Sequence, residues 1–193
     1  MKYINQLEYP HIPYHTRVSV EGLTDEERLR SVRKSGCGLC CTCMAIELLT
    51  DTSLDIEECV KISEACLANH SVGTDMTVLG PVIAEKFDLE YFSVQELDEA
   101  IELLRSGAQI VCHVGHPEGK PGLFTLGGHY ILLTSTDGKE FCILDPSYKE
   151  DKFDLPERVG KVDTSRAPYL YCDVNTVHGE TKAKKYHVFK RKR

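Results

Sequence analysis

The chain has 193 residues, 41% hydrophobic and 27% charged, with nine cysteines, no tryptophan and a formal charge of −7. That balance suits one folded domain with a sizeable core and excludes a disordered chain. No apolar run approaches the ~20 residues that cross a bilayer. The opening MKYINQLEYPHIPYH has no apolar stretch like that of an export signal. A cytoplasmic protein with reduced cysteines and no membrane partner is therefore expected, not a secreted disulfide scaffold.

Residues 1–23 read as irregular, interrupted by Pro10 and Pro13. Thr24-Asp25-Glu26-Glu27 is a capping-box pattern that predicts a short helix to about Val32. Arg33-Lys34-Ser35-Gly36 is expected to break it. A second helix is predicted from Cys37 to Leu49, apolar around so much of its circumference that it belongs at the centre. A third is predicted over Asp55–Ala68 and a fourth from Thr77 to Phe87. Leu89–Phe92 reads as a strand. Ser93-Val94-Gln95-Glu96 is a second capping box, opening a helix that stops at Gly107.

The hydrophobic period then changes. Gln109–Val114 is a predicted buried strand. Gly115–Gly128, with five glycines and two prolines, is a loop, read either as a lid or substrate wall or as plain surface. His129–Ser135 and Glu140–Leu144 form a hairpin around Asp137-Gly138. Weaker strands are expected at Tyr169–Val174 and Tyr186–Phe189. Helices first and mostly antiparallel strands afterwards argue an α+β fold in a single domain over 1–193. Its core is placed at about 24–150, with C-terminal strands and a basic tail over 151–193.

That tail holds seven Lys and Arg between Lys182 and Arg193 and no acid, which leaves 16 basic and 30 acidic residues elsewhere. So acidic a body argues against a nucleic-acid partner. The tail itself reads as a solvated end, with docking on the acidic body or an anionic partner as the alternative.

Three positions carry chemistry. Cys37, in SGCGLCC, starts the central helix, where backbone N–H groups and the macrodipole favour a thiolate. His129 opens one strand of the hairpin and Asp145 closes the other, so the turn brings them together. A carboxylate beside an imidazole fixes its tautomer, and the imidazolium keeps the cysteine ionised. Nucleophile, base and orienting group thus follow in the order Cys, His, Asp. Gly36, beside the sulfur, and Gly127 and Gly128, before His129, are the expected substrate-backing residues.

The remaining cysteines read as core filler. Cys37, Cys40, Cys41 and Cys43 hold CxxC spacings, with Cys112, His113 and His116 as further possible ligands. One apolar helix points these cysteines in different directions, so no metal is expected. No organic cofactor is implied. GCG lacks the spacing of a phosphate cradle.

GCG at the head of an apolar helix, followed by ELDEAIELLRSGAQIVCHV and then GGHYILL…FCILDPS, resembles the bacteriocin-processing (double-glycine leader) peptidases and their stand-alone relatives. These are papain-like cysteine peptidases, and the resemblance spans about Ser35 to Ser147. It implies a papain-like fold, a helical half packed on the sheet, with Cys37 as nucleophile, His129 as base and Asp145 as orienting residue. The substrate it implies is a peptide or small amide.

One departure stands out. The family holds a glutamine about six residues before the nucleophile as an oxyanion donor, and Ser31 occupies that position. Asn5 and Gln6 are the only earlier amides. His15 or Tyr14 is the expected replacement donor, beside the backbone N–H of Cys37. Losing such a donor typically costs about 100- to 1000-fold in rate. Three activities stay open: hydrolysis, acyl transfer on the same triad, and peptide binding without cleavage.

Overall fold

The structure, a computed structural model, describes residues 2–16, 24, 29–69, 73–116 and 121–192. It is α+β. Among the described residues, helices α1 (Val32–Ser35), α2 (Cys37–Leu49), α3 (Ile56–Ala65) and α4 (Met76–Lys86) precede strand β1 (Leu89–Val94). Then come α5 (Leu97–Arg105), β2 (Gln109–Val114), β3 (His129–Thr136), β4 (Glu140–Leu144), β5 (Tyr169–Asp173), α6 (Val174–Glu180) and β6 (Thr181–Arg191). The six strands form one sheet in the order β1-β6-β2-β3-β4-β5, every neighbouring pair antiparallel. No helix is long and apolar enough to cross a membrane among the described residues.

The sheet is covered on both faces. Helices α2, α3 and α4 bury Val111, Leu132, Leu144 and Phe189 on one side. Ile110, Cys112, Ile131, Leu133 and Ile143 point to the other side, under α5 and α6. Strands buried on both faces read as continuous apolar runs, which is why YILL and FCIL carry no alternation. Helix α2 is buried from Gly38 to Ile46, as its apolar circumference predicts.

The helix ends follow local chemistry. Asp55 caps α3, accepting from the Glu57 N–H, and Asp75 caps α4, accepting from the Thr77 N–H. Helix α5 stops at Gly107, whose φ is +92°. The Gly107 N–H bonds the Leu104 carbonyl and the Ala108 N–H bonds the Leu103 carbonyl, a Schellman closure. Helix α3 ends three residues earlier than predicted, in the same closure, with Leu67 at φ +67°.

Other expectations need correction. Most of the predicted Thr24–Val32 helix lies outside the described residues. Arg33-Lys34-Ser35 does not break a helix but completes α1. Ser93 does not cap α5: it pairs with His187 inside β1, and Glu96 takes the cap position. Val174 is not strand but the first residue of α6, capped by Asp173.

The basic tail ends in exposed residues, as expected, but the strand it flanks runs over Thr181–Arg191 and is not short. Strand β6 pairs with both β1 and β2, inside the sheet, so the core reaches well beyond residue 150. Lys190 and Lys192 pair with Glu90 and Asp88, and Arg191 Nε donates to the Leu49 carbonyl.

Candidate active site

Cys37 is the first residue of α2. Helix α1 runs into Gly36, where a Cβ would lie 2.5 Å from Val32 Cγ1 and 2.7 Å from the Val32 carbonyl oxygen. Glycine at 36 therefore permits the tight α1–α2 junction. It does not line the cavity over the cysteine, contrary to its expected substrate-backing role. The cavity, of about 590 Å³, is lined by Cys37, Gly127, Gly128, His129 and Tyr130 among others. Cys37 is the partly exposed member of an otherwise buried CGLCCTC turn.

The hairpin positions His129. Asp137 Oδ1 accepts the N–H groups of Lys139 and Glu140, and Gly138 has φ +92°. Strand β3 pairs Leu132 with Leu144. Continued three residues past Leu144, that register sets Ser147 level with His129 and Asp145 diagonal to it. His129 Nε2 lies 2.8 Å from Asp145 Oδ1 and 3.1 Å from Ser147 Oγ. With Nε2 so engaged, Nδ1 remains for Cys37, which shares a cavity wall with His129 and interacts with it electrostatically.

The electrostatics favour an ion pair. Burial alone would push the Cys37 thiol up. The interaction with His129 outweighs it, with help from the Tyr130 and Gly38 N–H groups, and holds Cys37 below an ordinary thiol. Burial alone would favour neutral His129, but Asp145 and then Cys37 hold the ring above an ordinary imidazole. By contrast, burial pushes Cys40 and Cys41 well up, and Cys112 and Cys172 up to about 12. None of the nine cysteines is in a disulfide.

Beneath Asp145 sits a residue that sequence reasoning missed. Lys152, 7% exposed, donates from Nζ to Asp145 Oδ2 at 2.5 Å and to Ser147 Oγ at 2.6 Å. Burial alone would raise the Asp145 carboxyl. The charges of Lys152 and His129 hold it well below the usual carboxylate range instead. Arg158, also buried, donates to the Lys152 carbonyl and fixes this short helical turn. Tyr3 donates its hydroxyl to the Asp145 carbonyl. The available signal was position alone: Ser147 and Lys152 follow Asp145 by two and seven residues.

The expected oxyanion donors are elsewhere. The Tyr14 hydroxyl is buried between Ser63 Oγ at 2.7 Å and Thr74 Oγ1 at 2.9 Å. His15 and Ser31 line a neighbouring cavity, not the one over Cys37. Chain pairing at Pro13 and Ser31 folds the N-terminus back. It brings the Gln6 amide against α1, where Nε2 donates to the Arg33 carbonyl. Gln6 does not line the Cys37 cavity. The Cys37 N–H, at the first position of α2, lies where helical N–H groups have no intrahelical acceptor. Among the described residues, no group of three His, Cys, Asp or Glu side chains converges as a metal site needs.

No protein-family model matches the chain, and no curated protein matches it at a significant level.

Proposed function

We propose that the protein is a papain-like cysteine hydrolase that cleaves a peptide or small amide through a thioester. The observation that carries this is the grouping of Cys37, partly exposed, beside His129 in one cavity, with the imidazole hydrogen-bonded to buried Asp145. The resemblance of the GCG, GGHYILL and FCILDPS segments to double-glycine leader peptidases supports it independently. Free thiols in this number suit a reducing, cytoplasmic setting.

The Cys37 thiolate attacks the carbonyl carbon, forming a C–S bond while the carbonyl π pair moves to oxygen. The Cys37 N–H and the positive end of α2 face that charge. Collapse of the adduct breaks the C–N bond, and the His129 imidazolium gives its proton to the departing amine. Water then attacks the thioester and gives a proton to neutral His129. The acid leaves and the thiolate returns. Asp145 holds Nε2 of His129, so the other ring nitrogen works at the sulfur throughout. Lys152 and Ser147 are positioning residues acting through Asp145.

A second reading, peptide binding without cleavage, is favoured by one observation: among the described residues, no amide side chain lines the cavity. A peptide and amide screen separates the two. The hydrolase reading expects turnover that Cys37→Ala abolishes, and an acyl adduct on Cys37 by mass spectrometry. Binding without turnover or adduct supports the second reading. Transfer of the acyl group to an added amine in preference to water identifies an acyltransferase.

A further inference from the structure

We infer that the notch between Gly128, His113 and Lys182 binds a carboxylate on the leaving-group side of the scissile bond. This rests on the hydrolase reading and names its substrate class: peptides whose departing residue ends in a free carboxylate.

The notch is built by two glycines. A Cβ on Gly128 would lie 3.2 Å from His113 Nε2 and 3.7 Å from Lys182 Nζ. Both nitrogens therefore face the space that a side chain would enter. The Lys182 stem crosses Gly115, where a Cβ would lie 2.1 Å from Lys182 Cε. Glycine at 115 thus leaves the path that brings the ammonium over residue 128. The His113 ring is held by stacking on Tyr130, with centroids 4.5 Å apart.

Lys182 and Lys34 bring positive charge to the cavity wall, which also holds the Asp75 carboxylate. Asp75 is engaged in capping α4, where Oδ1 accepts from the Thr77 N–H and hydroxyl. Lys182 has no carboxylate partner among the described residues. Burial first, and then the Lys182 charge, hold His113 neutral, with its pKa lowered to about 4. An ammonium and a neutral imidazole together suit a carboxylate, one supplying charge and the other an N–H. Position assigns the side. The notch adjoins His129, the residue that hands its proton to the departing amine.

The test is NMR titration of the Cys37→Ala protein, which cannot turn substrate over, while following the His113 ring signals. The probes are N-acetyl-glycylglycine and its C-terminal carboxamide. The acid is expected to shift His113 and bind about tenfold more tightly than the amide. Lys182→Met removes that preference and Lys182→Arg keeps it. Equal binding of the two probes, no His113 response, or a preference that survives Lys182→Met overturns the inference. The hydrolase reading fails separately, by absence of turnover in the unmodified protein.

Discussion

Lys152 and Asp145 form a buried ion pair directly beneath the His129 imidazole, with Nζ 2.5 Å from Oδ2 and neither side chain more than 7% exposed. Asp145 divides its two oxygens, Oδ1 to His129 and Oδ2 to Lys152. Ser147 Oγ touches all three. The carboxylate is therefore held from below while it orients the ring above.

Removing Lys152 leaves Oδ2 of the buried Asp145 carboxylate without its ammonium partner. Lys152→Met is expected to lower unfolding free energy by about 3–5 kcal/mol, read by urea denaturation. It also has a kinetic signature. His129 then faces a carboxylate no longer balanced by an ammonium, so its imidazolium persists to higher pH. The basic limb of the pH–rate profile moves up, and Lys152→Arg brings it back. A purely structural role lowers the rate and leaves that limb in place.

Asp145 also makes stability depend on acid. Its folded pKa lies below the unfolded value of about 3.9. The contribution is complete above that value and is lost as pH falls from it toward the folded pKa. Urea midpoints are expected to drop steeply below about pH 4. In Asp145→Asn, which is less stable throughout, this part of the slope is absent. An unchanged slope contradicts the assignment.

Gly80 tests the packing of α4 on β1. A Cβ there would lie 2.1 Å from Tyr91 Cε2, and Tyr91 bonds His187 Nδ1 at 2.7 Å and the Met76 carbonyl at 2.6 Å. Gly80→Ala displaces the ring and is expected to cost about 1–3 kcal/mol by overpacking. Thermal unfolding checks it, and a Tm within one degree of the parent contradicts it.

The grouping of Cys37, His129 and Asp145 was legible because each sits at a boundary that sequence marks: a glycine-flanked helix start, a strand start after Gly127-Gly128, and a strand end before Pro146. The hairpin turn then dictates that His129 meets Asp145. Lys152 left no such mark. A lysine on a short irregular turn reads as solvated, and only the tertiary fold buries it. Strand β6 was legible in part: Tyr186–Phe189 reads as a strand, but Lys182, Lys184 and Lys185 disguise its first half and its place between two neighbours. Helix α6, VNTVHGE, has β-branched, Asn and Gly residues that local propensity disfavours. Its cap, Asp173, and burial of Val174 and Val177 override that preference. Tyr14 was a candidate donor by position, but nothing local to the sequence reveals Ser63 and Thr74 as its partners.

The most direct measurement is alkylation by iodoacetamide at graded pH, with each modified cysteine mapped by mass spectrometry. Cys37 and Cys66 are both partly exposed, so access alone does not separate them. Cys37 is predicted to label first and well below pH 8, with His129→Ala moving its labelling to higher pH. Labelling of Cys37 no faster than Cys66, across that range, contradicts an activated nucleophile.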